Sequence, residues 1–122
     1  MKRRSRVTHS VVRRLALALP ETAESAHFER PDFRVRNKIF ATLPPDPGSV
    51  VLKSLPANVD ALVASDRVTF WDEWRGRWLG VRLDRVSLPV LRDLILDAWR
   101  VVAPKRLAAT RMPPSPPPNE EL

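Results

Sequence analysis

The chain of 122 residues contains no cysteine and no tyrosine, and it has only two histidines and three glycines. The absence of cysteine excludes disulfides, thiolate catalysis and zinc sites built on thiolates. His9 and His27 are the only side chains that titrate near neutral pH when unperturbed, and His27 with Glu29 and Asp32 does not reproduce a metal-ligand spacing. The sequence also lacks a phosphate-cradling loop and a nucleophile elbow. We therefore expect no enzymatic activity, no metal and no cofactor.

Long apolar runs are also missing. The run LALAL, residues 15–19, is far shorter than the ~20 residues that a membrane span needs. Basic residues precede this run, as in a secretory signal, but Pro20 and Glu21 stand where a cleavage site would need small residues. We expect a soluble, cytoplasmic, single-domain protein with no membrane partner.

The net charge of +7 is concentrated at the N-terminus. Residues 1–14 carry six basic residues and no acid, which leaves +1 for the rest of the chain. A basic arm at residues 1–6, which includes Lys2, Arg3 and Arg4, could anchor the protein on phosphates. The plainer alternative is a solvated leader. An anionic membrane is a third option, but no apolar segment joins the basic run.

Hydrophobic periodicity predicts a helix at each end of the domain. The first covers residues 8–19, with Thr8 as N-cap and Pro20 as its end, and PETAES at residues 20–25 is predicted to be a loop. A short helix is predicted at residues 56–65. The strongest helix covers residues 87–104, where Ser87 is the predicted cap.

Alternating patterns between the helices predict short strands. They fall at FRVR, IFATL and SVVLKS, after an edge strand near His27, and the predicted turn between the first two is Asn37-Lys38. Two more strands are predicted within residues 67–83, and they join near Arg75 and Gly76. We expect an α+β two-layer sandwich, with the N- and C-terminal helices on one face of an antiparallel sheet and the other face in solvent. The domain is predicted to cover residues 7–109, followed by a Pro-rich disordered tail at residues 110–122.

Two clusters are candidates for binding. Arg34, Arg36 and Lys38 can project from the first hairpin at a spacing near ~6.5 Å, close to the pitch of phosphates along one strand. The alternative is that these residues only solvate the exposed face of a sheet, with Glu29 and Asp32 close enough to neutralise the patch. The second cluster is aromatic: Phe70 and Trp78 are predicted to fill the core, while Trp71 and Trp74 are candidates for an exposed partner surface, interleaved with Arg75 and Arg77.

The segments LALALPETAESAHFERPDFRVRNKIFATL, RWLGVRL and AWRVVAPKRL resemble, in this order, the MmcQ/YjbR family. The resemblance covers residues 8–107, and the hairpin motif P-x-F-x-V-x-x-K-x-F-A falls on residues 31–41. It implies a CyaY-like sandwich and DNA binding. Glu29, Arg36 and Asn37 stand where the family often has glycine, so a role that needs close backbone approach does not carry over to this turn.

The pattern and the resemblance together favour a small DNA-binding module of weak sequence specificity. In this interpretation Arg34, Arg36 and Lys38 contact phosphates, Arg75 and Arg77 extend the patch, and the basic arm adds affinity. The alternative is a protein-interaction or small-ligand module that uses Trp71 and Trp74, with the charges serving solubility. No residue can be assigned to base readout from the sequence.

Overall fold

The computed structural model describes residues 7–111 of the chain. The basic arm at residues 1–6 and residues 112–122 of the predicted tail lie outside the described part. The elements in chain order are α1 (His9–Leu17), β1 (Thr22–His27), β2 (Arg30–Val35), β3 (Lys38–Thr42), β4 (Ser49–Lys53), α2 (Pro56–Ser65), β5 (Phe70–Trp74), β6 (Trp78–Arg82), α3 (Leu88–Val102) and α4 (Lys105–Arg111).

The helix ends follow the predicted signals. The Oγ1 of Thr8 accepts a hydrogen bond from the Val11 N–H at 3.4 Å at the start of α1. The Oγ of Ser87 accepts one from the Val90 N–H at 3.3 Å at the start of α3. Each cap supplies a partner for one of the N–H groups that a helix leaves unpaired at its first turn.

The six strands form one antiparallel sheet in the order β1-β2-β3-β4-β6-β5. Because every neighbour runs antiparallel, the β2–β3 turn and the β5–β6 turn emerge at the same end of the sheet. The β1–β2 turn and the starts of β4 and β5 lie at the opposite end. This arrangement decides which basic residues can act together.

The prediction of a loop at residues 20–25 was wrong, because most of this segment belongs to the edge strand β1. Its register with β2 runs from Thr22 opposite Val35 to His27 opposite Arg30, and four of its six residues are exposed. An edge strand needs backbone pairing on one side only, so small polar side chains suffice once β2 supplies that pairing. Alternation of apolar residues could not reveal it.

The core lies between the helices and one face of the sheet, as predicted. Its largest fully buried side chains come from α3, with Leu91, Ile95 and Trp99, and from the strands, with Phe33 and Phe40 among them. The indole N–H of Trp99 donates to the Pro20 carbonyl at 3.1 Å and so ties α3 to the end of α1. The two-layer α+β prediction is confirmed. Among the described residues there is no helix with the length and apolar character of a membrane span.

Two details of the strands differ from the prediction. The first hairpin turns at Arg36 and Asn37, which have φ of +50° and +69°, so Lys38 already belongs to β3. Phe70 is buried as predicted, but Trp78 is only half-buried and does not belong to the core. Leu79 points to the helices, so period-two alternation turns Trp78 to the opposite side of the sheet. We call that side, away from the helices, the open face.

Candidate functional site

Arg34 is the most constrained of the predicted phosphate contacts. Its Nε and Nη2 donate to the two carboxylate oxygens of Asp32 at 2.8 and 3.0 Å, and its Nη1 donates to Asn37 at 2.9 Å. Asp32 is fully buried and also pairs with Nδ1 of His27 at 2.7 Å. The charge of Arg34 is therefore largely compensated inside the protein, in what we call the Asp32 cluster (Asp32, Arg34 and His27).

The Asp32 cluster also fixes the ionisation of its carboxylate. Burial by itself raises the pKa of Asp32, but hydrogen bonds and charge from Arg34 and His27 outweigh it, so that the pKa lies below its usual range. A buried carboxylate is tolerated only where such partners compensate the loss of water. The arrangement explains why a charged residue occupies a strand position without exposure.

Arg36 and Lys38 stand at the first turn. The Nε and Nη2 of Arg36 donate to Glu21 at 2.9 and 3.2 Å, and this contact lowers the pKa of the Glu21 carboxyl. Both side chains are about half exposed, so the pair is weak and a stronger anion can replace the carboxylate. Lys38 is exposed and makes no side-chain hydrogen bond or ion pair within residues 7–111.

The second turn presents Arg75 and Arg77. Arg75 and Gly76 have φ of +51° and +69°, and the Arg77 N–H closes the turn on the Trp74 carbonyl at 2.9 Å. The carboxylate of Asp72 accepts the Gly76 N–H at 2.8 Å and braces the loop. The guanidinium of Arg75 lies 5.0 Å from the centre of the Trp74 ring. Arg77 is exposed, and its side chain has no hydrogen-bond or ion-pair partner in the described part of the chain.

The two basic turns share one end of the sheet. The centres of the two turns are three strand spacings apart, since the first turn joins β2 to β3, the second joins β5 to β6, and β4 lies between these two pairs. At ~4.8 Å per spacing the turns are about 14 Å apart. Lys53, at the end of β4 opposite Trp78, adds a further cation between them. The structure thus brings Arg36, Lys38, Arg75 and Arg77 to one end.

The open face carries three tryptophans with different surroundings. Trp71 is half-buried and lies flat over Gly80, its partner on β6, with Arg82 at 5.7 Å from the ring centre. Trp78 is also half-buried and has Lys53 at 4.9 Å. Trp74 remains 53% exposed. Of the two residues predicted to form a partner surface, Trp74 is available and Trp71 is mainly engaged with the sheet.

A shallow groove of about 270 Å³ crosses the open face. We call it the open-face groove, and its lining residues are His27, Arg30, Ile39, Thr42, Val51, Glu73, Trp74 and Trp78. Thr42 and Val51 form its floor, and both are buried although no helix of residues 7–111 covers this side. The Nη2 of Arg30 donates to Oγ1 of Thr42 at 3.0 Å.

Sequence reasoning missed Arg30 and Lys53. Lys53 follows Val51 at a two-residue spacing on β4, so alternation could have placed it on the open face. Nothing local marks Arg30, because its contact with Thr42 joins residues twelve positions apart. His27 and Asp32, two of the side chains considered as metal ligands, pair with each other. Within residues 7–111 no group of three metal-binding side chains is assembled.

These features define a class: a small α+β protein with helices on one side of an antiparallel sheet, and cations and tryptophans on the other. The YjbR family model matches residues 17–101, more than half of the chain, so this protein belongs to the YjbR family. The crystal structure of the Deinococcus radiodurans protein DR2400, with a DUF419 domain, is similar at a TM-score of 0.70 and 20% identity, over 94% of this chain and 88% of that one. No curated protein matches the sequence.

Proposed function

We propose that this YjbR-family protein is a small DNA-binding module that contacts the phosphate backbone through its two basic turns, with weak sequence specificity. The observation that carries the proposal is the position of both turns at one end of the sheet, about 14 Å apart. The major groove of B-DNA is about 12 Å wide. Turns at this separation match the phosphates on the two sides of such a groove.

The available cations support the same proposal. Lys38 and Arg77 are exposed and unpaired within the described residues, and Arg36 holds only an exposed ion pair. Arg75 and Lys53 stack on tryptophans and keep their charge near the same end. Arg34 receives no phosphate contact in this proposal, since Asp32 and Asn37 already occupy its guanidinium. Lys2, Arg3 and Arg4 of the arm would add affinity for any phosphate backbone.

The test is fluorescence anisotropy of a labelled DNA duplex across a salt series, with the full chain. Lys38→Glu/Arg77→Glu changes one free cation on each turn. The control Arg67→Glu/Arg92→Glu makes the same change in charge at exposed positions away from the turns. Each phosphate contact contributes about 0.9 to the slope of log K against log salt concentration. If each turn makes one such contact, the slope becomes shallower by about 1.8 in the test variant. The control should retain the wild-type slope.

Three results would contradict the proposal. The control variant could weaken binding as much as the test variant, which would reduce the effect to net charge. A chain without residues 1–6 could lose all affinity, which would assign binding to the arm. Binding could also be absent even at ~50 mM salt, where an interaction based on phosphates is strongest.

A second candidate is supported by exposed aromatic surface. Trp74 is 53% exposed, and Phe28, at the tip of the β1–β2 turn, is 98% exposed. Exposed aromatic side chains are enriched where proteins bind partners. In this alternative the protein is an interaction or small-ligand module, and of the Trp71 and Trp74 surface predicted for it Trp74 is the exposed part. Such binding should tolerate salt and be lost on Trp74→Ala, whereas duplex binding through the turns should fall steeply with salt.

A further inference from the structure

We propose that the open-face groove binds an unpaired nucleobase, so that the protein holds single-stranded DNA across the open face of its sheet. The inference rests on the proposed function and extends it from phosphate contacts to a site for the base itself. Four properties of the groove carry the inference: its size, its aromatic wall, the unpaired buried N–H of the arginine in its opposite wall and the sign of the charge around it.

The size of the groove suits the ring system of a single nucleobase. Its volume of about 270 Å³ lies just below the roughly 300 Å³ at which pockets for whole small molecules begin. The floor of Thr42 and Val51 is flat, since both residues lie on a sheet and are almost completely buried. A planar heterocycle can lie in such a groove while the chain to which it is attached stays in solvent.

The aromatic wall comes from Trp74 and Trp78, which pair across β5 and β6. Trp74 keeps 53% of its surface exposed even with Arg75 over its ring. An exposed indole at the edge of a groove offers a stacking surface, and every base has a π-face to stack on it. Stacking of this kind tolerates any base, in agreement with weak sequence specificity.

The opposite wall contributes a donor. Arg30 uses its Nη2 to hold Thr42, but its buried Nε–H has no hydrogen-bond partner among the described residues. A buried N–H without an acceptor is costly, and this favours a turn of the Arg30 side chain that brings the N–H to an acceptor lying in the groove. The carbonyl oxygens and ring nitrogens of nucleobases are such acceptors.

The charge around the groove favours a polyanion over an apolar or basic partner. Lys53 and Arg75 flank the two tryptophans, and Arg30 lies in the opposite wall. Glu73 is the one acid among the lining residues, and its carboxylate accepts the Trp71 indole N–H at 2.7 Å. A duplex cannot fill the groove in this way, because its bases are stacked and paired. A single strand can present both a free base and flanking phosphates.

The test compares three labelled ligands of equal length by anisotropy with the full chain: oligothymidylate, an abasic single strand and a duplex. The variant is Trp74→Ala, with Trp74→Phe as the conservative change that keeps a stacking ring. Leu88→Ala, an exposed apolar position at the start of α3, is the matched control. Loss of one stacked base weakens binding roughly 5- to 150-fold. We expect that loss for oligothymidylate with Trp74→Ala, partial rescue with Trp74→Phe, and no change for the abasic strand, the duplex or the control.

The outcomes separate this inference from the proposed function. If the duplex binds and Trp74→Ala leaves oligothymidylate binding unchanged, the base site is refuted while DNA binding through the turns stands. If Trp74→Ala weakens all three ligands equally, Trp74 acts through the phosphates or the fold, and the base site is again refuted. If none of the ligands binds at ~50 mM salt, both the inference and the proposed function fail, and a protein becomes the occupant to seek.

Discussion

Gly80 is predicted to be required because Trp71 lies directly on it. A Cβ at position 80 would stand 1.9 Å from Cε2 of Trp71 and 2.3 and 2.4 Å from two further ring atoms. Ordinary contact begins at 3.4 Å, so the indole would have to lift by about 1.5 Å. A large aromatic residue that covers a glycine on the neighbouring strand compensates for the missing side chain of that glycine. The pair therefore stabilises the β5–β6 hairpin that carries the second basic turn.

The expected cost of Gly80→Ala is that of overpacking, about 1–3 kcal/mol in the free energy of unfolding. For a domain of this size each kcal/mol lowers the melting temperature by roughly 4 °C, so we expect a decrease of about 4–12 °C. The sign should reverse in a Trp71→Ala background, because no ring then opposes the methyl group. There the replacement of a strand glycine by alanine should stabilise by roughly 0.5–1 kcal/mol.

The assay is thermal unfolding followed by circular dichroism, for the two single variants and the double variant. Gly48→Ala is the control, because a Cβ at position 48 would meet its nearest neighbour at 3.5 Å, an ordinary contact. The difference between the two backgrounds measures the coupling of Trp71 to Gly80. An equal cost of Gly80→Ala with and without the Trp71 ring would refute the contact.

Two further predictions concern the Asp32 cluster and the cap of α3. The pKa of Asp32 is lower in the folded than in the unfolded protein. The ionised carboxylate therefore stabilises the fold above about pH 4, where the same group is also ionised in the unfolded chain. This stabilisation is lost as the pH falls through the pKa of the folded protein. Urea denaturation of Asp32→Asn should therefore show lower stability at pH 7 and a shallower loss between pH 5 and 2. If the free energy of unfolding of Asp32→Asn fell with pH as steeply as that of the wild type, this role of Asp32 would be excluded. Ser87→Ala removes the N-cap of α3 and should cost about 1 kcal/mol at constant m-value, while the exposed Ser25→Ala on β1 should have no measurable effect. Equal effects of the two serine variants would show that the cap contributes nothing.

Helix caps, turns and most strands could be predicted because they depend on residues that are close in sequence. The caps at Thr8 and Ser87, the tight turn near Gly76 and most strands follow from side chains within a few positions of one another. The family resemblance is also confirmed, since it depends on the order and spacing of such local segments. The sequence by itself therefore determined the two-layer class and the pair of basic hairpins.

Only the tertiary structure decided what those basic residues can do. The sequence places Asp32 two positions before Arg34, but only the folded strands bury Asp32 and hold the guanidinium of Arg34 against its carboxylate. The common end of the two turns follows from β6 lying between β4 and β5, which no local pattern specifies. The open-face groove likewise joins Arg30 of β2 to Trp74 of β5. Charge compensation and shared surfaces arise between distant segments, and the free energy that fixes them is gained only when the sheet assembles.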